Sequence, residues 1–320
     1  MLMGRGTGDG PCGTGRHTMA EDFNRQVIER FRANGGQVDG FPDLLLLTAA
    51  GRRTGKPRTT PLAYREDAGR YLVFGSNGGA PQHPLWYRNL LAAGGGTAEL
   101  PDGAGGTVAH SVRPVELDPD ERARQYAEQA RRVPAFAEYA DRAGRTIPVI
   151  ALHPLDLSGD PALPAAIVGQ LRLHHEDLRR QLTDLRARLD GAGAGAGAGA
   201  GTVVGTGAGV ASGPDLAAQL RAHCLSFCHG LDMHHIREEG AFTAFQRQYP
   251  QLTPALTRLR ADHRTVAEAL TRFEAHLATP GADDPATLRA ELDRLTDGLE
   301  AHFAYEEEHL LATSAPHPER

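Results

Sequence analysis

The chain has 320 residues, of which 40% are hydrophobic and 23% charged, with a formal net charge of -6. That length suits two domains better than one core, and no basic stripe offers the electrostatic footprint of a nucleic-acid binder. Three cysteines, Cys12, Cys224 and Cys228, are too few for a disulfide framework, and no apolar run reaches the length of a membrane span, so a cytoplasmic protein is expected.

Residues 1–20 are Gly-rich and polar and lack the apolar stretch of a secretory signal, so they read as a disordered leader. Glu21–Asn34 carries Phe23, Val27 and Phe31 at helical spacing. Short apolar runs bounded by Gly and Pro then predict strands at Asp43–Thr48, Thr59–Tyr64, Tyr71–Ser76, Thr97–Leu100 and Thr107–Pro114, with a final apolar run at Val149–Leu152. A helix is expected over Asp118–Arg132, opened by Asp118-Pro119. This is an α+β, antiparallel, barrel-like pattern rather than a series of βαβ units. It occupies residues 21–155, and a Pro-bearing linker follows at 156–164.

Beyond the linker the pattern is helical: Pro164–Asp190, Pro214–Tyr249, Thr253–Ala278 and Pro285–Thr313. These predict an all-α four-helix bundle over 165–314. Between its first two helices lies Gly191–Gly213, nearly pure Gly-Ala repeat, which buries little apolar area and is expected to be a flexible inserted loop. Loop-closure entropy tolerates such an insertion because the cost grows only logarithmically with length.

The bundle carries a pattern with chemistry in it. The second helix contains His234-His-Ile-Arg-Glu238-Glu and the last His302-Phe-Ala-Tyr-Glu306-Glu-Glu. Residues four apart share a helical face, so each helix can turn an imidazole and a carboxylate to one point. The other two helices each offer a histidine, His175 and His263, in similar apolar surroundings. Carboxylates can bridge two cations while imidazoles cap them, as in other di-metal bundles with different spacing. The tandem pairs His174/His175 and His234/His235 leave each choice open by one residue, and His235 would fall in register with Glu239. Cys224 and Cys228, with His223 and His229, crowd one helical stretch and point different ways, which favours packing over a zinc site.

The order His … His-x3-Glu … His … His-x3-Glu resembles the hemerythrin-like (HHE cation-binding) family over about Leu171–Leu311. The resemblance implies a di-iron centre, two iron ions held by His175, His234, Glu238, His263, His302 and Glu306, with oxygen, nitric oxide or peroxide chemistry or sensing. Oxygen-carrying members place a second histidine one turn after the third-helix ligand. That position is Ala267 here, which implies a more open coordination sphere, with Glu268 as a less well aimed substitute.

In the first domain, Gly51-Arg-Arg-Thr-Gly-Lys-Pro-Arg58 sets four cations around two glycines, a turn suited to phosphate or carboxylates. Tyr71–Gly79 ends a strand in a Gly-rich turn, Pro84-Leu-Trp-Tyr-Arg-Asn89 holds the chain's one Trp, and Tyr139 precedes Arg145-Thr-Ile-Pro148. Together these segments resemble the deazaflavin-dependent nitroreductase family across roughly Glu21–Leu155. The resemblance implies a split β-barrel, FMN-binding-like, that holds reduced coenzyme F-420, a deazaflavin with a phosphate and an oligoglutamate tail. Arg52, Arg53, Thr54, Lys56 and Arg58 would meet the tail. Ser76, Asn77, Gly78 and Gly79 would lie along the chromophore, supported by Trp86, Tyr87 and Asn89. Tyr139 and Ser76 are the candidate catalytic residues. The chain departs from the family at Ala93-Gly-Gly-Gly-Thr97, where a looser loop is expected. The reading is an oxidoreductase that passes hydride to a quinone or nitro acceptor beside an iron bundle that meets oxygen or nitric oxide. The alternative is a non-catalytic protein that binds cofactor and senses iron or oxygen.

Overall fold

The computed structural model describes residues 14–197, 216–279 and 284–314. The first domain is a closed six-strand barrel. Its strands are β1 (Leu44–Ala50), β2 (Pro57–Asp67), β3 (Arg70–Phe74), β4 (Gly96–Pro101), β5 (Thr107–Glu116) and β6 (Val149–Pro154), paired around the barrel as β1-β2-β3-β6-β5-β4. All pairings are antiparallel. Closure leaves no exposed sheet edge.

Alternation along β1 shows how the barrel is covered. Leu45, Leu47 and Ala49 point inward, where they meet Val73, Ala98, Leu100, Val112, Ile150 and Leu152. Leu44 and Leu46 point outward onto Val27 and Phe31 of α1 (Thr14–Ala33). Both faces of β1 are therefore buried, which explains a strand that reads as a continuous apolar run. Helix α1 starts at Thr14, inside the stretch expected to be a leader; residues 1–13 lie outside the described residues.

Three more helices complete this domain: α2 (Leu85–Ala93), α3 (Pro119–Arg132) and α4 (Ala135–Ala143). Asp118 caps α3 by accepting from the backbone N–H groups of Asp120 and Glu121. Helices α3 and α4 lay Tyr126, Phe136 and Tyr139 on Leu72, Phe74 and Val149. The run after Ala93 is not a loose loop. Gly94 closes α2 in the left-handed conformation at φ 66°, and Gly96 already belongs to β4. A Cβ on Gly96 would stand 2.8 Å from the Thr48 carbonyl oxygen, so the glycine is what lets β4 approach β1.

The second domain contains α5 (Leu163–Gly197), α6 (Leu216–Gln248), α7 (Thr253–Leu277), α8 (Pro285–Thr296) and α9 (Leu299–Ser314). Helix α5 runs into the Gly-Ala repeat as far as Gly197, and the rest of that expected loop lies outside the described residues up to Leu216. The fourth helix of the bundle is not continuous as expected: α8 and α9 meet at Asp297-Gly298, where Gly298 takes φ 78°. The bundle core has two apolar layers. One contains Leu178, Phe227, Leu231, Leu270, Phe273 and Phe303; the other contains Val168, Leu171, Phe242, Phe245, Leu256, Leu259 and Leu310. In each helix the candidate ligands fall between residues of these two layers. Buried Cys224 and Cys228 belong to the first layer, and burial pushes the Cys224 thiol up to about 11, as expected of packing thiols.

Helix α6 is also the seam between the domains, packing on β4 and β5. Thr97 donates its hydroxyl to the Ile236 carbonyl at 3.1 Å and Thr243 to the Ala109 carbonyl at 2.5 Å. Gly240 lies so close to the strand that a Cβ there would stand 2.6 Å from the Ser111 nitrogen.

Candidate metal centre and cofactor-binding segments

The polar layer of the bundle gathers two groups of ligand atoms, each with its atoms within 4.8 Å of one another: His175, His234, Glu238 and Glu306 in one, His235, His263 and His302 in the other. The two groups share their carboxylates. Glu238 turns Oε1 to His234 Nε2 at 2.8 Å and Oε2 to His263 Nε2 at 3.4 Å. Glu306 Oε2 lies 3.5 Å from His175 Nε2 and 4.0 Å from His302 Nε2. All six predicted ligands are thus brought together.

The residue missed is His235. The tandem pair is not a choice between two histidines, because α6 faces the centre along the line between them and each enters a different group. His235 thus offers a buried imidazole to the second group, where Ala267, an exposed residue, offers none. Glu268 is exposed and takes no part. Glu239 does not pair with His235 but stands 3.7 Å from His263 Nδ1.

Whether these residues suit a cation can be judged from their unmet bonding. Nε2 of His175, His234, His235, His263 and His302, and both oxygens of Glu238 and Glu306, are buried without a hydrogen-bond partner. Leaving so many polar atoms buried and unpaired is costly unless something bonds them. Carboxylates stand behind three of the rings: Glu307 at 2.7 Å from His175 Nδ1, Asp262 at 3.5 Å from His302 Nδ1, and Glu239 behind His263. Arg179 and Arg260 fasten Glu307 and Glu239 in turn. Glu307, hydrogen-bonded to His175 Nδ1, can hold the proton there and aim the Nε2 lone pair inward, while Asp262 and Glu239 stand behind His302 and His263 without a hydrogen bond.

The electrostatics agree. Burial and then His263 push His302 down to about 4, and burial with His263 holds His235 well below the usual range. Burial also lowers His175, but Glu238 and Glu306 outweigh it and raise that imidazole to about 9. Burial and neighbouring Glu238 raise Glu306, whereas His234, His175 and His263 overcome burial to hold Glu238 well below its ordinary value. Two carboxylates crowded this way oppose joint ionisation, and a pair of cations would relieve it. The residues fit a di-metal group.

In the barrel, the predicted cofactor segments also converge. The Arg52 amide donates to the Asn89 side-chain oxygen at 3.3 Å, which ties the cationic turn to α2. Trp86 is buried within the barrel core. Tyr87 donates to Glu116 at 2.8 Å, and burial followed by that carboxylate pushes its phenol up to about 12. The Ser76–Gly79 turn sits beside Tyr139, whose Cα would be 3.2 Å from a Cβ on Gly79. Two residues that sequence reasoning left without a role fix this turn: Arg145 donates to the carbonyls of Gly75, Ser76, Ala80 and Gln82, and Arg142 to that of Gly78. Arg145 lay within the quoted Arg-Thr-Ile-Pro motif, but a long-range donor to backbone leaves no signal in spacing. Of the four cations, Arg52, Arg53 and Arg58 are exposed, while Lys56 is drawn to Glu274 of the bundle at 2.7 Å.

Comparison with known proteins parallels this division. Residues 23–154 match the family model described as F420H(2)-dependent quinone reductase, and residues 166–313 match the hemerythrin HHE cation binding domain. F420H(2)-dependent quinone reductases from two strains of Mycobacterium tuberculosis are each 35% identical over 118 residues, covering 37% of this chain and 78% of the relative. A solved F420-H2 dependent reductase is 31% identical, covering 35% of this chain and 94% of that one, at a TM-score of 0.31.

Proposed function

Because the chain belongs to the F420H(2)-dependent quinone reductase family and carries a hemerythrin HHE domain beside it, we propose that it takes hydride from reduced coenzyme F-420 to a quinone or nitro compound, and that its bundle holds two iron ions for oxygen, nitric oxide or peroxide chemistry or sensing. It is an oxidoreductase of the deazaflavin-dependent type. The observation that carries the reading is that the β1–β2 turn and the Ser76–Gly79 turn after β3 leave the barrel at the same end, with α2 tied to the first of them by the bond from the Arg52 amide to Asn89.

When bound, the deazaflavin supplies the hydride and the irons supply one-electron and oxygen chemistry. The chain's part is placement and electrostatics. Arg52, Arg53 and Arg58 offer charge to a phosphate and carboxylates, and the Thr54 turn presents backbone beside them. Arg145 holds the backbone along which the ring system would lie, and Tyr87 is committed to Glu116 as a positioning group rather than a proton donor. Tyr139 and Ser76 are left on the acceptor side. In the bundle, His175, His234, His235, His263, His302, Glu238 and Glu306 would hold the metals. A hydride donor and one-electron irons do not exchange electrons directly, so a quinone is the natural carrier between them.

The test is oxidation of the reduced coenzyme by purified protein with menadione, followed optically. Steady oxidation is expected, and absence of turnover with every quinone and nitro acceptor would leave only a binding or sensing role.

A further inference from the structure

A cavity of about 320 Å³ opens between the domains. One wall is the barrel turn at Thr54 and Gly55, and the other is formed by His174 of α5 and His229, His234 and Arg237 of α6. It therefore joins the turn read as the seat of an anionic tail to a ligand of the metal centre.

His234 is the ligand with an unusual rear. Its Nε2 turns to Glu238 at 2.8 Å, inside the polar layer. Its Nδ1 makes no hydrogen bond or ion pair with a described residue, and the ring lines the cavity wall. The space this ring borders is the cavity. His175, His263 and His302 each have a carboxylate behind them, and His234 has none from the described residues. Arg237 lines the same cavity and forms no ion pair with a described residue. The acid nearby, Asp177, already accepts from Arg180 at 2.9 Å and Gln181 at 2.6 Å. A histidine N–H behind an inward metal ligand, beside a guanidinium without an ion pair to a described residue, suits an anionic acceptor, and a carboxylate can meet both groups.

We propose that the interdomain cavity is a carboxylate site, whose occupant pairs with Arg237, accepts from His234 Nδ1 and so completes the support of that metal ligand from outside the chain. The carboxylate has two sources. It is a residue of the coenzyme's oligoglutamate tail, reaching across the Thr54–Gly55 turn, or a free carboxylate from solution. The first source rests on the reductase reading above; the site itself does not.

Calorimetry and metal-release kinetics on the full iron-loaded chain test this. A tetraglutamate peptide is titrated in one arm and acetate in the other, and the rate of iron transfer to a chelator is followed in both. Binding is expected, with slower iron release in its presence. Arg237→Gln, at an exposed position, should weaken binding roughly tenfold or more, from loss of a charge-assisted pair, and abolish the effect on iron release. Arg264→Gln on α7, outside the cavity, should change neither. An effect of tetraglutamate at concentrations far below those of acetate assigns the site to the tail, and equal potency per carboxylate assigns it to a free anion. Failure of both to bind, or binding indifferent to Arg237→Gln, overturns the proposal. Quinone turnover that continues in that case leaves the reductase reading standing, while carboxylate binding without turnover removes the reductase reading alone.

Discussion

At the scale of single residues, the metal layer sets its own hierarchy. His235 is the ring that sequence spacing offered only as an alternative to His234, and it stands with His263 and His302 in a group of imidazoles alone. His235→Ala should therefore lower the iron content of purified protein and leave one site better occupied than the other; unchanged iron by elemental analysis would remove it from the ligand set. Glu307 touches no metal position but holds His175 by Nδ1. Glu307→Gln keeps the shape and removes the charge, and iron loss to a chelator should quicken by roughly 10–100-fold, the usual cost of such a partner. The pairs His234/Glu238 and His302/Glu306 could be picked out because residues four apart on a helix share a face, while His175 and His263 stood as single histidines on the other two helices. That His235 joins His234 rather than replacing it was not legible, because adjacent helical residues diverge by about 100° and only the position of the helix axis decides that both look inward. The carboxylates behind the rings were equally hidden, since Glu307 and Asp262 read as members of ordinary charged faces.

At the scale of elements, α6 does two jobs with one turn. The segment from His234 to Glu238 carries ligands on one side, while Ile236, Gly240 and Thr243 seat the helix on β4 and β5. Gly240→Ala drives a Cβ into the Ser111 backbone, where no flexible side chain can yield. The helix must shift, and the melting temperature and iron retention should fall together. Thr97→Val is a gentler probe, removing one hydrogen bond worth about 1 kcal/mol, and loss of stability without loss of iron would show that the seam bears on folding only. Strand positions and the long helices were readable from period 2 and period 3.6 patterns. Helices α2 and α4, nine residues each, were not, because the aromatic motifs they carry obscure so short a period. The break at Gly298 and the role of Gly96 depend on a close approach or a left-handed residue that flanking sequence does not announce.

At the scale of the whole molecule, the domains meet over a mixed charge cluster. Lys56 pairs with Glu274 across the interface, both partly exposed, so that pair contributes under about 1 kcal/mol. Asp232 lies in the same cluster, and burial followed by Glu274 raises its pKa. A carboxylic acid raised on folding penalises the native state once pH climbs past its unfolded pKa, and the penalty is complete above the folded one. Asp232→Asn should therefore raise the melting temperature at pH 7 and lose that advantage as pH falls below the ordinary carboxylate range; a variant less stable at pH 7 would contradict it. No helix among the described residues is long and apolar enough to cross a membrane.

The account turns on two irons in one polar layer. Anomalous diffraction at the iron edge, from crystals of aerobically purified protein, tests it most directly. Two peaks are predicted, one against His175 and His234 and one against His235, His263 and His302, both within reach of Glu238 and Glu306. A single peak, or iron bound elsewhere on the chain, would contradict it.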